Sequence, residues 1–118
     1  MPRKITAAQN KELSPLALEL IASRFRALSE PMRLRLLNLL MAGEQTVGQL
    51  VTATESSQAN ISKHLSVLRD AGMIAIRKEG LSSVCLIADP IVNELCEMMC
   101  LRLREEMESK AKAFDPGI

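Results

Sequence analysis

The segment Ser57–Ile74, SQANISKHLSVLRDAGMI, constrains the fold more than any other part of the chain, because its apolar residues keep to one helical face. Ile61, Leu65 and Leu68 recur at i, i+4 and i+7, the spacing that lines side chains along one side of a helix. Gln58, Asn60, Ser62, Lys63, Ser66 and Arg69 then project the other way. Short polar groups on an outer face suit a helix lying in the major groove of DNA, whereas an ordinary solvated face carries more Glu and Lys. Ser57 suits the N-cap, since its hydroxyl can accept from an amide two or three residues on, and Gly72 suits the left-handed position that closes a helix.

The flanks extend this pattern. Thr46–Thr54, TVGQLVTAT, reads as a short helix with Val47, Leu50 and Val51 inward, and the turn Glu55-Ser56-Ser57 leads straight into the second helix, which together make a helix-turn-helix. After Gly72 the period changes: Met73–Lys78 and Ser83–Ala88 are short apolar-rich strands around Glu79-Gly80-Leu81-Ser82, a β-hairpin in the position of a wing. Upstream, Ser14-Pro15 starts a helix that runs to about Leu28, and Glu30-Pro31 starts another that ends near Gly43. Leu36, Leu37, Leu40 and Met41 form the core stripe of the latter, with Phe25 and Leu28 packing on it.

The Ser57–Ile74 run, with Leu28-Ser29-Glu30-Pro31-Met32-Arg33-Leu34-Arg35-Leu36-Leu37 as a second, separate match, resembles the ArsR/SmtB family of bacterial winged-helix repressors over roughly residues 16–105. The resemblance implies a mainly α fold with a small β-hairpin, a winged helix-turn-helix that dimerises through its first and last helices, and a response to metals, metalloids or thiol-reactive signals. It also implies that His64, the single histidine, serves the DNA side or helix packing. Two departures matter. The segment before the recognition helix has no cysteine where some relatives carry a C-x-C box, and Leu81 and Cys85 stand where relatives often have Arg and an aromatic residue. The grip of the wing on phosphate then rests on Arg77 and Lys78.

Charge divides along the same line. Residues 1–88 carry a net +4 and residues 89–118 a net −3, so the basic surplus lies with the DNA-reading half. Two Phe and no Trp or Tyr leave no platform for stacking unpaired bases, which favours duplex DNA over single strands. One domain over residues 13–113 is the economical division, preceded by a mobile basic arm (1–12, with Arg3, Lys4 and Lys11) and followed by a tail (114–118). With no secretory leader and no run of about eighteen apolar residues, a cytoplasmic protein that does not enter a membrane is expected. An odd count of three cysteines argues for free thiols rather than a disulfide framework.

Asp89 and Pro90 open a final helix that can continue to about Ala113, on the order of 35 Å. Ile91, Val92, Leu95, Cys96, Met98, Met99, Cys100, Leu103 and Met107 share one arc of ~200°, too wide for a small monomer to cover, which points to a homodimer. Two recognition helices would then meet successive major grooves about 34 Å apart. Cys96 and Cys100, at i and i+4, hold their β-carbons ~5–6 Å apart, too far for an unstrained disulfide but suited to converging on a large soft ion. Cys85, four residues before the helix, is a candidate third ligand.

The reading is therefore a DNA-binding repressor released by a thiol-binding inducer: trivalent arsenic or antimony first, cadmium or lead next. A redox or reactive-sulfur sensor using the same cysteines is the alternative, and a winged-helix module for protein contacts is a further one. Gln58, Asn60 and Ser62 would read base edges while Ser57, Lys63, Arg77 and Lys78 hold phosphates. An enzyme is not expected, because His64 and the cysteines fall on different faces of the fold.

Overall fold

Each of the first four helices begins where a side chain takes over an otherwise unpaired amide. The computed structural model describes residues 12–114, so the expected basic arm and tail lie outside the described residues except for Glu12 and Phe114. Helix α1 (Pro15–Leu28) is capped by Ser14, whose Oγ accepts from the Ala17 amide at 3.1 Å. Helix α2 (Pro31–Met41) is capped by Glu30, and both helices carry proline at their first position, where no amide donor is lost. Thr46 and Gln49 form a reciprocal capping box on α3 (Val47–Thr54). Ser57 caps α4 (Gln58–Asp70), and Asp89 Oδ1 accepts from the Ile91 amide at the start of α5 (Ile91–Phe114).

The hairpin β2 (Ile74–Glu79) and β3 (Ser82–Ile87) pairs Glu79 with Ser82 across a two-residue loop, Gly80-Leu81. Gly80 takes φ +61, which a side chain at the first central position of such a turn would oppose. A third strand, β1 (Gln45–Thr46), pairs antiparallel with β3, so the sheet order is β1-β3-β2. Only the hairpin is legible in the sequence: a two-residue strand has no period to detect, and Thr46 is not within the helix expected over Thr46–Thr54 but caps it.

Ile61, Leu65 and Leu68 of α4 are buried against Leu36, Leu37 and Leu40 of α2 and Leu50 of α3, with Met73, Ile74, Cys85 and Val92 closing the core. Phe25 does not join it. Its ring is 60% exposed on the outer side of α1, where only Ala27 is buried. α5 behaves similarly: Val92 is its one buried residue, Leu95 and Cys96 are half-buried, and every residue from Glu97 to Phe114 is exposed. The helix therefore leaves the body of the protomer after about two turns. No helix among the described residues is long and apolar enough to cross a membrane.

Candidate nucleic-acid interface and cysteine pair

The helix-turn-helix corner is shaped by a left-handed residue, Glu55 at φ +55, which ends α3 and turns the chain into α4. Ser57 Oγ accepts from the Asn60 amide at 3.1 Å, and Asn60 Nδ2 donates to Ser56 Oγ at 2.9 Å. Asn60, expected to read bases, is thus half-buried and closes the turn with its side-chain amide. Its position in the first turn of α4 lets the short side chain fold back on the loop, a competing bond that outward periodicity does not reveal. Gln58, Ser62 and Lys63 are exposed as expected.

Gln58 and Ser62 meet the wing in an open cleft of about 410 Å³, lined also by Thr46, Val47 and Gly48 from the start of α3 and by Lys78, Leu81, Ser82 and Ser83 from the hairpin. Thr46, Gly48, Ser82 and Ser83 were missed from the sequence. Their only local signal is small or hydroxyl-bearing character beside a turn. Among the described residues Lys78 is the one cation lining this cleft. Its neighbour Arg77 points to the other face of the strand, as β alternation requires, and forms a two-pronged pair with Glu44 at 2.7 and 2.8 Å, with Glu79 at 3.6 Å. This pairing holds the Glu44 carboxyl below its ordinary pKa and keeps the guanidinium firmly charged. Arg77 and Lys78, expected together as the phosphate grip, thus face different surroundings in the protomer. Of the two places expected for His64 the structure has the packing one: its side chain is 12% exposed and its Nδ1 lies 3.2 Å from Arg33 Nη1, between α4 and α2.

The three cysteines sit in three environments. Cys85 is fully buried on the middle strand β3, and burial pushes its thiol pKa up. Cys96 is half-buried against the core, with its pKa also raised by burial. Cys100 is exposed one turn further on, its sulfur accepting from Arg104 Nη2 at 3.6 Å beside Leu103 and Met107. Among the described residues no group of three or more His, Cys, Asp or Glu side chains is placed to hold a metal ion, so Cys85 is not brought to the α5 pair within one protomer. Iodoacetamide is expected to modify Cys96 and Cys100 in the native protein and Cys85 only after denaturation, as a mass-spectrometric time course would show. Because only thiolates react and burial raises the Cys96 pKa, its rate should keep climbing at pH values above those at which an ordinary cysteine has levelled off.

Residues 30–75, from the α2 cap to the first strand of the wing, match the arsR family of bacterial regulatory proteins. A crystal structure of Mycobacterium tuberculosis Rv0081 superposes with a TM-score of 0.75 at 32% identity, covering 84% of this chain and 99% of that one. The chain belongs to the ArsR family. Its members are DNA-binding transcriptional regulators, not enzymes. This ArsR chain is also similar to a probable mercury resistance operon repressor of Streptomyces lividans, 39% identical over 71 residues. That match covers 60% of this chain and spans 57% of the length of the repressor. A winged helix-turn-helix DNA-binding domain from Mycobacterium bovis, described as homodimeric in its solution structure, superposes with a TM-score of 0.71 at 28% identity, covering 80% of this chain and 91% of that domain. The architecture of these regulators is the one found here: a mostly helical body with a small antiparallel sheet whose hairpin stands beside the recognition helix.

Proposed function

We propose that the protein is a transcriptional repressor that binds operator DNA as a homodimer through residues 13–113 and is released when a thiophilic ligand engages Cys96 and Cys100. The observation that carries the DNA reading is the convergence of Gln58 and Ser62 of α4 with Lys78 of the wing on one open cleft. An amide can read adenine in the major groove, and a lysine beside it can hold the flanking phosphate. Ser57 and Lys63, exposed near the start of α4, extend the backbone contact, whereas Asn60, His64 and Arg77 support the site from behind. Lys78→Ala should weaken all duplexes and lower the salt dependence by about one ion per protomer, measured by fluorescence anisotropy across a salt series. Arg77→Ala should leave that slope unchanged.

The α1 and α5 faces left open by the protomer form the dimer seam, in line with the homodimeric relative. The cysteine pair lies on that helix and away from the cleft, so a ligand there acts on how protomers pack rather than on the groove contacts. A bias of ~1–3 kcal/mol between the two dimer arrangements changes DNA affinity about 5- to 150-fold. Two sulfurs on successive turns suit trivalent arsenic or antimony, or cadmium or lead, with any further donor coming from outside the protomer. The mercury-resistance name of the Streptomyces relative supports a soft ligand of this kind. The exposure of Cys100 and the cation beside it favour one second reading, oxidation or persulfide formation at the same thiols. Titrating the reduced protein on its promoter duplex with arsenite, antimonite, cadmium, lead and an organic polysulfide separates the two; release by none of them would overturn both.

A further inference from the structure

Two arginines fasten the recognition helix to the end of α1. Arg33 Nε donates to the Ala27 carbonyl at 2.7 Å and Nη2 to the Arg26 carbonyl at 3.1 Å, the latter shared with the Ser29 amide and hydroxyl that close α1. Its third arm, Nη1, reaches His64 Nδ1 on α4 at 3.2 Å. A guanidinium has only donors, so Nδ1 is the acceptor and the ring carries its proton on Nε2. Glu30 Oε2 accepts from the Arg33 amide at 3.1 Å and stands 3.8 Å from the same ring nitrogen, completing a part-buried joint. At the far end of α4, Arg24 Nη1 donates to the Ala71 carbonyl. A Cβ on Gly72 would collide with that guanidinium, and φ +76 already favours glycine there.

The apolar stripe Ile61, Leu65 and Leu68 fixes the depth of α4 in the protein. Apolar contact is non-directional, however, and tolerates rotation and sliding of the helix. The planar fork of Arg33 does not, since three bonds in one plane hold one orientation. We infer that Arg33 and His64 are positioning residues for operator recognition: they fix the angle of α4 on α1 and thereby the separation of the two recognition helices in the dimer. The inference rests on the proposed reading of α4 as the groove helix and α1 as part of the dimer seam.

The test uses duplexes selected by the wild-type protein from a randomised pool, with the half-sites then moved apart in single base-pair steps. Arg33→Met and His64→Leu should each lower the ratio of affinities for selected over random duplex by about tenfold, of the order of one misplaced base contact, and flatten the dependence on half-site spacing. Their double variant should be no worse than either alone, because both break one joint. His64→Asn, whose Oδ1 falls where Nδ1 stood, should restore the ratio and the spacing preference. Thermal melting confirms that each variant is folded at the assay temperature. If Arg33→Met and His64→Leu lower only the melting temperature, or if folded His64→Asn behaves like His64→Leu, the inference is overturned. Gln58→Ala serves as the control: should it also leave the ratio unchanged, the reading of α4 falls and this inference with it.

Discussion

Leu103→Glu is expected to turn the dimer into monomers and to reduce operator affinity on the order of 10²- to 10⁴-fold, the avidity that two linked half-site contacts supply over one. The protomer has a radius of gyration of 18.2 Å, against about 13.5 Å for a compact chain of this length. The excess reflects α5, which carries Met98, Met99, Leu103 and Met107 into solvent, and α1 adds Leu16, Leu20 and Phe25. A partner would cover these exposed apolar side chains. Leu103 is the better probe than Leu95, because Leu95 is half-buried against its own protomer and a charge there would test folding as well as assembly. Sedimentation of the variant beside circular dichroism checks both points. A dimer that survives Leu103→Glu together with Phe25→Glu, or a monomeric wild type at micromolar concentration, would exclude the seam.

Cys96→Ser combined with Cys100→Ser should abolish ligand-driven release, reducing a response of about 5- to 150-fold to none, while DNA binding without ligand stays within about twofold. The two functions are separable because the thiols sit on α5 and the cleft is built from α3, α4 and the wing. Serine keeps the size of cysteine but lacks the soft thiolate. Cys85 should behave differently from the sequence expectation. It is a fully buried core residue, so Cys85→Ser is expected to cost about 1–3 kcal/mol of stability for an ill-satisfied buried hydroxyl, and Cys85→Ala should keep the ligand response. Release measured by anisotropy and stability by urea unfolding distinguish these outcomes. Unchanged release in the Cys96/Cys100 double variant would reduce both residues to packing.

What could be read from the chain, and what could not, follows the range of the interactions. Ser57, Ile61, Leu65, Leu68 and Gly72 are set by neighbours within a few residues, so period and capping chemistry located α4 correctly. The pairing of Arg77 with Glu44 is not legible in the sequence, because the two lie 33 residues apart. His64 and Arg33 each belong to one of the two sequence matches that carried the family resemblance, and the structure shows the two motifs touching. Cys85, a candidate third ligand from its place four residues before the final helix, is buried because the strand that carries it is covered on both sides. With β1 on its far side, β3 is the middle strand, and both Val84 and Cys85 are buried on it. Phe25 was assigned to the core on its apolar character alone, which cannot distinguish a core from an intermolecular seam.

The overhang of α5 has a consequence for how such a protein can change over time. From Glu97 onward its residues are exposed in the protomer, so substitutions there meet little resistance from the fold that presents α4 to DNA. The family match stops at residue 75, before this helix begins. On the proposed reading, exchanging a few side chains on the overhang would alter ligand chemistry without disturbing the core that holds α4, as long as two copies still fit together. If Cys100 serves the proposed sensing role, a cysteine gained or lost at that exposed position is a small step in sequence and a large one in what the protein responds to.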